Sequence, residues 1–377
     1  LNRIDRIGAL PDQPQRAAFG VDTAVRCERA AAELRSGRPV LIEGDGEAVA
    51  VLSLDTATPD SYRAFAHAAR DRHQLFLTAP RAGVLGLDVE YGALVPLAGK
   101  SFEAASSIGY LKDAPAPGNW AAADEADGEA AALARLSLLL PAVVILRDPD
   151  MRAFGDCLRL RRGDLRAANE QVSQSFEIVA RTPVPLRGIE QAEFVVFRGG
   201  LAQRDQIAIV VGDPDPSRPV PVRVHSSCLT GDLFGSLKCD CGDQLRGGLA
   251  KLQERGGGVL VYLDQEGRGT GIGSKMRAYG LQCEGLDTVD ADAVLGFGTD
   301  ERRYEAAVAI LLALGYTRVD LLTNNPAKIA HLRAGGIEVV GRTPSVGEVT
   351  DQNRDYLRTK ARRAGHMIDV DGPDWAR

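Results

Sequence analysis

The stretch RVHSSCLTGDLFGSLKCDCG, residues 223–242, decides how this chain is read. It holds three of the six cysteines, Cys228, Cys239 and Cys241, close together. A disulfide between Cys239 and Cys241 would be strained, and a reducing compartment disfavours any bridge. Three thiolates converging on one zinc ion leave the fourth tetrahedral position for a water, as in catalytic rather than structural sites. Nucleobase deaminases use a comparable cysteine set to attack a heteroaromatic ring. Two other readings stand beside this one: a closed structural site with His225 as fourth ligand, or three reduced thiols. Cys27, Cys157 and Cys283 fall in helical patterns and read as inert thiols.

Outward from the cluster, strand signals at Ala192–Phe197, Ile207–Val211 and Val220–Val224 precede alternating helices and strands. Leu245, Leu249 and Leu252 have helical spacing, and Gly256-Gly257-Gly258 leads into a strand at Val259–Leu263. Tyr304, Val308, Leu311 and Leu312 mark a helix stopped by Gly315, followed by a strand at Val319–Leu322. The first half reads as a helix capped by Asp22 or Thr23, a strand at Pro39–Ile42, and a helix opened by Thr58-Pro59-Asp60. Residues 112–131, rich in Ala, Asp, Gly and Pro, read as a surface loop running into a helix, before a strand in 139–147. Thr182-Pro183-Val184-Pro185 breaks the pattern, so domains are expected at 1–178 and 179–377. The expected class is α+β, or mixed α/β, in two domains.

The 377 residues are 45% apolar and 25% charged, with a net charge of −6. That balance suits a globular protein with a sizeable core and argues against general affinity for nucleic acid. No apolar run reaches the length of a membrane span, and the first twenty residues show no secretory pattern. A cytoplasmic protein with neither nucleic-acid nor membrane partners is expected.

The run RVHSSCLTGDLFGSLKCDCGDQL resembles the zinc segment of GTP cyclohydrolase II. Further matching segments follow in the same order. They are Gln265-Glu266-Gly267-Arg268, Lys275–Gln282, Asp287-Thr288-Val289, Leu295–Phe297 with Asp300-Glu301-Arg302, and Leu322–Lys328. The resemblance covers about residues 180–370. It implies a GTP cyclohydrolase II-like fold and opening of the GTP imidazole ring, with release of formate and pyrophosphate. That is the first step of riboflavin synthesis. It also implies one zinc per chain on Cys228, Cys239 and Cys241, magnesium with the triphosphate, and a homodimer.

By the same resemblance, Arg223, Val224, His225, Ser226, Ser227, Gln244, Glu266, Gly267, Arg268, Thr288, Thr323 and Lys328 contact the nucleotide. Arg and Lys neutralise phosphate, while Gln, Glu and Thr read base and sugar. Asp300 matches a proton acceptor, Arg302 a group acting at the α-phosphorus, and Tyr279 an active-site hydrogen-bond donor. A guanidinium stays protonated, so Arg302 is a better phosphate clamp than nucleophile. Plainer readings exist for several of these. Asp300 would cap a helix starting at Glu301, Gly267-Arg268-Gly269 would be a surface turn, and Lys328 an exposed lysine behind Pro326 at a helix start.

Three positions depart from the family pattern. Ser227 stands where glutamate is frequent, Asp264 where arginine is usual, and Ser274 where asparagine is common. If strand alternation continues past Leu263, Asp264 shares the face of Glu266 and weakens GTP binding. The alternative function is a paralogue that binds a purine nucleotide without full turnover, or stops at the formylated intermediate. The first domain faintly resembles 3,4-dihydroxy-2-butanone 4-phosphate synthase. Its acidic run is thinned to Glu43-Gly-Asp45-Gly-Glu47, so a degenerate, non-catalytic copy is expected.

Overall fold

The computed structural model describes residues 23–44, 46–172, 176–200, 205–345 and 347–368. Asp22, Asp45 and the segment read for a secretory signal lie outside these residues. Two seven-stranded sheets organise the chain. The first contains β1 (Val40–Glu43), β2 (Ala48–Ser53), β3 (Gln74–Thr78), β4 (Gly92–Pro96), β5 (Ala121–Ala122), β6 (Val143–Arg147) and β7 (Leu158–Arg161), in the order β5-β4-β3-β6-β2-β1-β7. The second contains β8 (Glu177–Pro183), β9 (Ala192–Arg198), β10 (Gln206–Gly212), β11 (Val220–Ser226), β12 (Gly257–Leu263), β13 (Arg318–Leu322) and β14 (Glu338–Thr343), in the order β14-β13-β11-β12-β10-β9-β8.

The reading of the first half finds helix Thr23–Arg35 and helix Pro59–Ala68, the latter with a full capping box from Thr58 and Ser61. It lacks β2, an apolar strand that turns back on β1 in a hairpin. The charged stretch after residue 158 is β7, the outer strand of its sheet. Arginines on an edge strand resist further strand pairing. β8 pairs with β9 from Glu177 onward, so the chain crosses between sheets ahead of that residue. Pro183 closes β8 on the open edge, where a missing N–H costs least.

In the second sheet, β12, β11, β13 and β14 run parallel, while β10, β9 and β8 continue antiparallel. From β11 the chain passes through helix Cys241–Glu254 to β12 on one side. It returns through helices Gly271–Cys283, Thr288–Val294 and Glu305–Ala313 to β13 on the other. The strand order therefore reverses at β11, and the loops leaving the carboxyl ends of β11, β12 and β13 open a crevice there.

Apolar clusters cover both faces of each sheet. A smaller cluster joins the domains: Leu140 packs with Ala278, Ala291, Leu295 and Phe297. Polar ties run beside it. Thr78 Oγ1 donates to Gly296 O at 2.7 Å, and Arg277 pairs with Asp55 at 2.6 Å. Among the described residues, no helix is long and apolar enough to cross a membrane.

Candidate functional site

Cys228 follows the end of β11, while Cys239 and Cys241 sit at the start of helix Cys241–Glu254. Between them the backbone makes a π-helical turn, Leu229–Leu233, that brings the three sulfurs within 4.8 Å of one another. Cys228 Sγ and Cys239 Sγ are 3.7 Å apart. Gly231 makes this possible, because a Cβ there would stand 2.9 Å from Cys239 Sγ and 3.1 Å from Cys228 Sγ. Its backbone N–H donates to Cys228 Sγ at 3.4 Å, and Lys275 Nζ donates to the same sulfur at 3.1 Å.

Hydrogen bonds from the other two thiols, with Lys275, hold Cys228 far below the ordinary thiol range. The hydrogen bonds they give to Cys228, together with burial, drive Cys239 and Cys241 upward. Only a cation shared by all three would let them ionise together. The soft sulfur donors and their spacing fit zinc.

His225 does not join them. It is buried, and its Nε2 lies 3.1 Å from Asp232 Oδ1, while its ring stacks on Tyr262. Burial lowers its pKa despite the carboxylate. Asp232 is itself taken by the Tyr262 hydroxyl at 2.9 Å and by Cys228 N–H at 3.0 Å. The cluster of three sulfurs on the crevice therefore does not include His225.

One cavity at the carboxyl ends of β11, β12 and β13 collects most of the expected residues. Arg223, His225, Ser226, Ser227, the three cysteines, Gln244, Glu266, Gly267, Arg268, Tyr279, Thr288, Arg302, Thr323 and Lys328 all line it. Two expected residues do not. Val224 buries its side chain in the sheet core, and it is its carbonyl that receives Lys328 Nζ at 2.7 Å. Strand alternation puts Arg223 and His225 on the other face. Asp300 stands behind Arg302, binding its Nε at 2.7 Å and its Nη2 at 2.5 Å.

The plainer readings of these positions change as well. Helix Glu305–Ala313 begins after Tyr304, so Asp300 caps no helix and instead accepts from Arg302 N–H at 3.1 Å. Burial would raise the Asp300 carboxyl, but Arg302 outweighs it and holds the group below the ordinary range. Burial opposes the charge on Arg302, yet Asp300 raises its pKa further, so the guanidinium stays protonated. Lys328 is buried, not exposed, and burial followed by the Arg223 and Arg302 charges lowers it well below the usual lysine range. Gly267-Arg268-Gly269 is a turn, with φ of 63°, 62° and 94°, but one that faces the cavity.

Glu266 ties the wall together. It accepts from Leu229 N–H at 2.5 Å and from Lys275 Nζ at 2.9 Å. Three buried polar atoms on the wall, Arg223 Nε, Ser226 Oγ and Asn325 Nδ2, have no protein partner. Ser227 Oγ accepts from Gln265 N–H at 3.1 Å, a tie within the turn. Ser274 is buried outside the cavity wall.

The place of Asp264 does not follow from strand alternation. β12 ends at Leu263, and the chain turns at once into the left-handed residues 267 and 268. The Asp264 side chain is exposed and lines a separate cleft between the domains, beside Arg35, Arg135 and Asn169. Glu266 lines this cleft as well as the cavity of the cysteines, whereas Asp264 reaches only the cleft.

Sequence reasoning passed over several residues on the wall. Lys275 and Gln282 lie four and three residues from Tyr279, on one helical face, a spacing legible in the sequence. Asp292 also lines the cavity, 3.5 Å from Arg268 Nη1, and burial pushes its carboxyl up to about 7. Tyr356, Lys360 and His366 arrive from the far end of the chain and carried no local signal.

A family model for GTP cyclohydrolase II matches residues 177–344. A GTP cyclohydrolase-2 of Xylella fastidiosa (strain 9a5c) is 56% identical over 357 residues, 94% of this chain and 90% of its own. One from Azospirillum brasilense is 39% identical over 375 residues, covering 94% and 97%. The riboflavin biosynthesis protein RibBA of Bacillus cytotoxicus is 48% identical over 174 residues, 46% of this chain and 44% of its own. A crystal structure of a two-domain 3,4-dihydroxy-2-butanone 4-phosphate synthase from A. baumannii aligns over 86% of this chain and 100% of its own, at 18% identity and a TM-score of 0.33. Identity above one half, sustained over nine-tenths of both chains, places both halves of this chain in the GTP cyclohydrolase II family.

Proposed function

We propose that the chain opens the imidazole ring of GTP by hydrolysis, releasing formate and pyrophosphate. The product is 2,5-diamino-6-(5-phosphoribosylamino)pyrimidin-4-one, at the entry to riboflavin synthesis. The observation that carries this reading is the convergence of three thiols with a cationic, partly unpaired wall in one crevice. Cys228, Cys239 and Cys241 would hold one zinc, which when bound supplies an activated water for the two attacks at C8.

The remaining work falls to the side chains. Arg302, kept protonated by Asp300, clamps phosphate oxygens rather than attacking phosphorus. Asp300 is ionised, with low proton affinity; holding Arg302 suits it better than general-base chemistry. Arg223 offers its unpaired Nε to the ligand. Burial raises the Tyr279 hydroxyl, which stays a hydrogen-bond donor at neutral pH. Lys275 neutralises part of the thiolate charge and anchors Glu266. Magnesium would offset the triphosphate charge that remains.

The first domain has no part in this chemistry; we read it as a non-catalytic relative of the butanone-phosphate synthase. With Asp264 outside the cavity, Ser227 is the one of the three departures that stands on its wall. A homodimer is supported by Leu233, Phe234 and Leu237, apolar side chains 69%, 73% and 58% exposed beside the cysteine turn.

Metal analysis and product assay test the reading together. The expected result is one zinc per chain, with formate and pyrophosphate formed in equal amounts from GTP and magnesium. Cys239→Ala should lose both zinc and formate release. No formate from the unmodified protein, or full turnover in Cys239→Ala, would overturn it.

A further inference from the structure

The segment matched by the family model ends at residue 344, yet the cavity does not. Helix Arg354–Arg363 and the turn after it fold back over the crevice, and Tyr356, Lys360, His366 and Ile368 line it. The return is fastened at several points. Leu357 is fully buried, Met367 N–H donates to Asn324 O at 2.9 Å, and His366 N–H donates to Lys360 O at 3.1 Å. This end of the chain is part of the cavity wall.

Lys360 is the group whose chemistry stands out there. Its side chain is 13% exposed, its Nζ lies 3.4 Å from Asp240 Oδ1 and 4.3 Å from the centre of the Tyr356 ring. An ammonium has three donors, and with Asp240 and the Tyr356 hydroxyl as partners one is left for another acceptor. Asp240 is shared, since its second oxygen accepts from Gln244 Nε2, whose Oε1 binds Arg223 Nη2 at 2.5 Å. His366 lies within the same field: burial, then the charges of Lys360, Arg302, Lys328 and Arg268, push its imidazole down to about 3. Of the cations on this wall, Arg223 and Lys328 bind only neutral acceptors. Cations crowded in a crevice around few carboxylates form a site for a polyanion.

We infer that Lys360, delivered by the C-terminal helix, is a further phosphate-binding residue of the cavity and takes an anionic oxygen of the triphosphate alongside Arg302. The inference rests on the GTP reading above, and its test has an arm independent of turnover. Lys360→Met keeps much of the side-chain length and removes the charge. It should raise the GTP KM at least tenfold, change kcat less than threefold, and leave zinc at one per chain. Lys360→Arg should restore most of the loss.

In parallel, inorganic tripolyphosphate is titrated calorimetrically into the zinc-loaded full chain and into Lys360→Met, with affinity expected to fall about tenfold. That arm holds even if the unmodified protein releases no formate, so failure of the GTP reading and failure of this one are separable. An unchanged KM with unchanged tripolyphosphate affinity would overturn the inference. So would a loss of zinc and kcat at constant KM, which would make Lys360 a positioning residue acting through Asp240. Should the unpaired Asp240 disrupt folding, Lys360→Gln with Asp240→Asn removes both charges, and the tripolyphosphate affinity decides in the same way.

Discussion

Arg81 in the first domain and Arg223 in the second are both buried guanidiniums, 1% and 4% exposed, and burial lowers both to about 10. Their surroundings differ in completeness. Arg81 donates through Nε to Ile108 O at 2.9 Å, through Nη2 to Ser107 O at 3.1 Å and Leu111 O at 2.8 Å, and through Nη1 to Val294 O at 3.1 Å. It closes the carboxyl ends of helix Phe102–Tyr110 and, across the domain boundary, of helix Thr288–Val294. Cations are favoured at such ends. Arg223 binds Leu322 O and Gln244, then leaves Nε unpaired on the cavity wall. A buried charge whose nitrogens are all bonded supports a fold, and one with a nitrogen left over supports a ligand. The first domain spends its buried polarity on docking, the second on a site.

That contrast predicts different losses. Arg81→Met should cost about 3 kcal/mol or more, because several buried carbonyls lose their donor together. Its unfolding midpoint should fall steeply, and equal stability of variant and parent would break the comparison. Arg223→Met should instead lower kcat/KM for GTP by about a hundredfold, roughly the worth of one charge-assisted hydrogen bond. Its midpoint should fall by less than that of Arg81→Met. If Arg223→Met melts as early as Arg81→Met while KM holds, Arg223 is a structural arginine too.

Asp292 sharpens the comparison through pH. Its carboxyl is raised to about 7 in the folded chain by burial, with Arg268 opposing. An unfolded aspartate releases its proton near pH 4. The folded state therefore holds a proton that the unfolded state has lost, so this group's contribution is present below about pH 4 and disappears as pH rises through about 7. Asp292→Asn should flatten the midpoint-against-pH curve over that window relative to the parent. A parallel pair of curves would refute the assignment.

The smallest effect is expected at Asp264. Asp264→Arg should leave the GTP KM within twofold, because position 264 lines the cleft between the domains and not the cavity of the cysteines. A clear drop in KM would return Asp264 to the neighbourhood of the triphosphate.

Some of this was legible in the chain alone. The strands of the second sheet show as runs of β-branched residues, and Thr58 with Asn325-Pro326 marks two helix starts by cap chemistry. The cysteine trio announces its chemistry within one short loop. These are local properties, because strand faces, caps and short-range ligand spacing depend on neighbours within a few residues. The same locality limits what such a reading reaches. Alternation stops with β12 at Leu263 and does not reach Asp264, and Val224 packs its side chain into the sheet core while Arg223 and His225 on either side of it line the cavity.

What tertiary structure alone decided is which distant segments meet. The reversal of strand order at β11 brings Arg223 to Gln244 and Lys328 to the Val224 carbonyl. The docking of the first domain places Arg81 under helix Thr288–Val294. The fold-back of the last helix sets Lys360 beside Asp240. No periodicity encodes these contacts, because each depends on sheet order and chain crossovers rather than on the residues beside it. The chain by itself determined what chemistry was available, and the packing of its elements decided which groups could reach it.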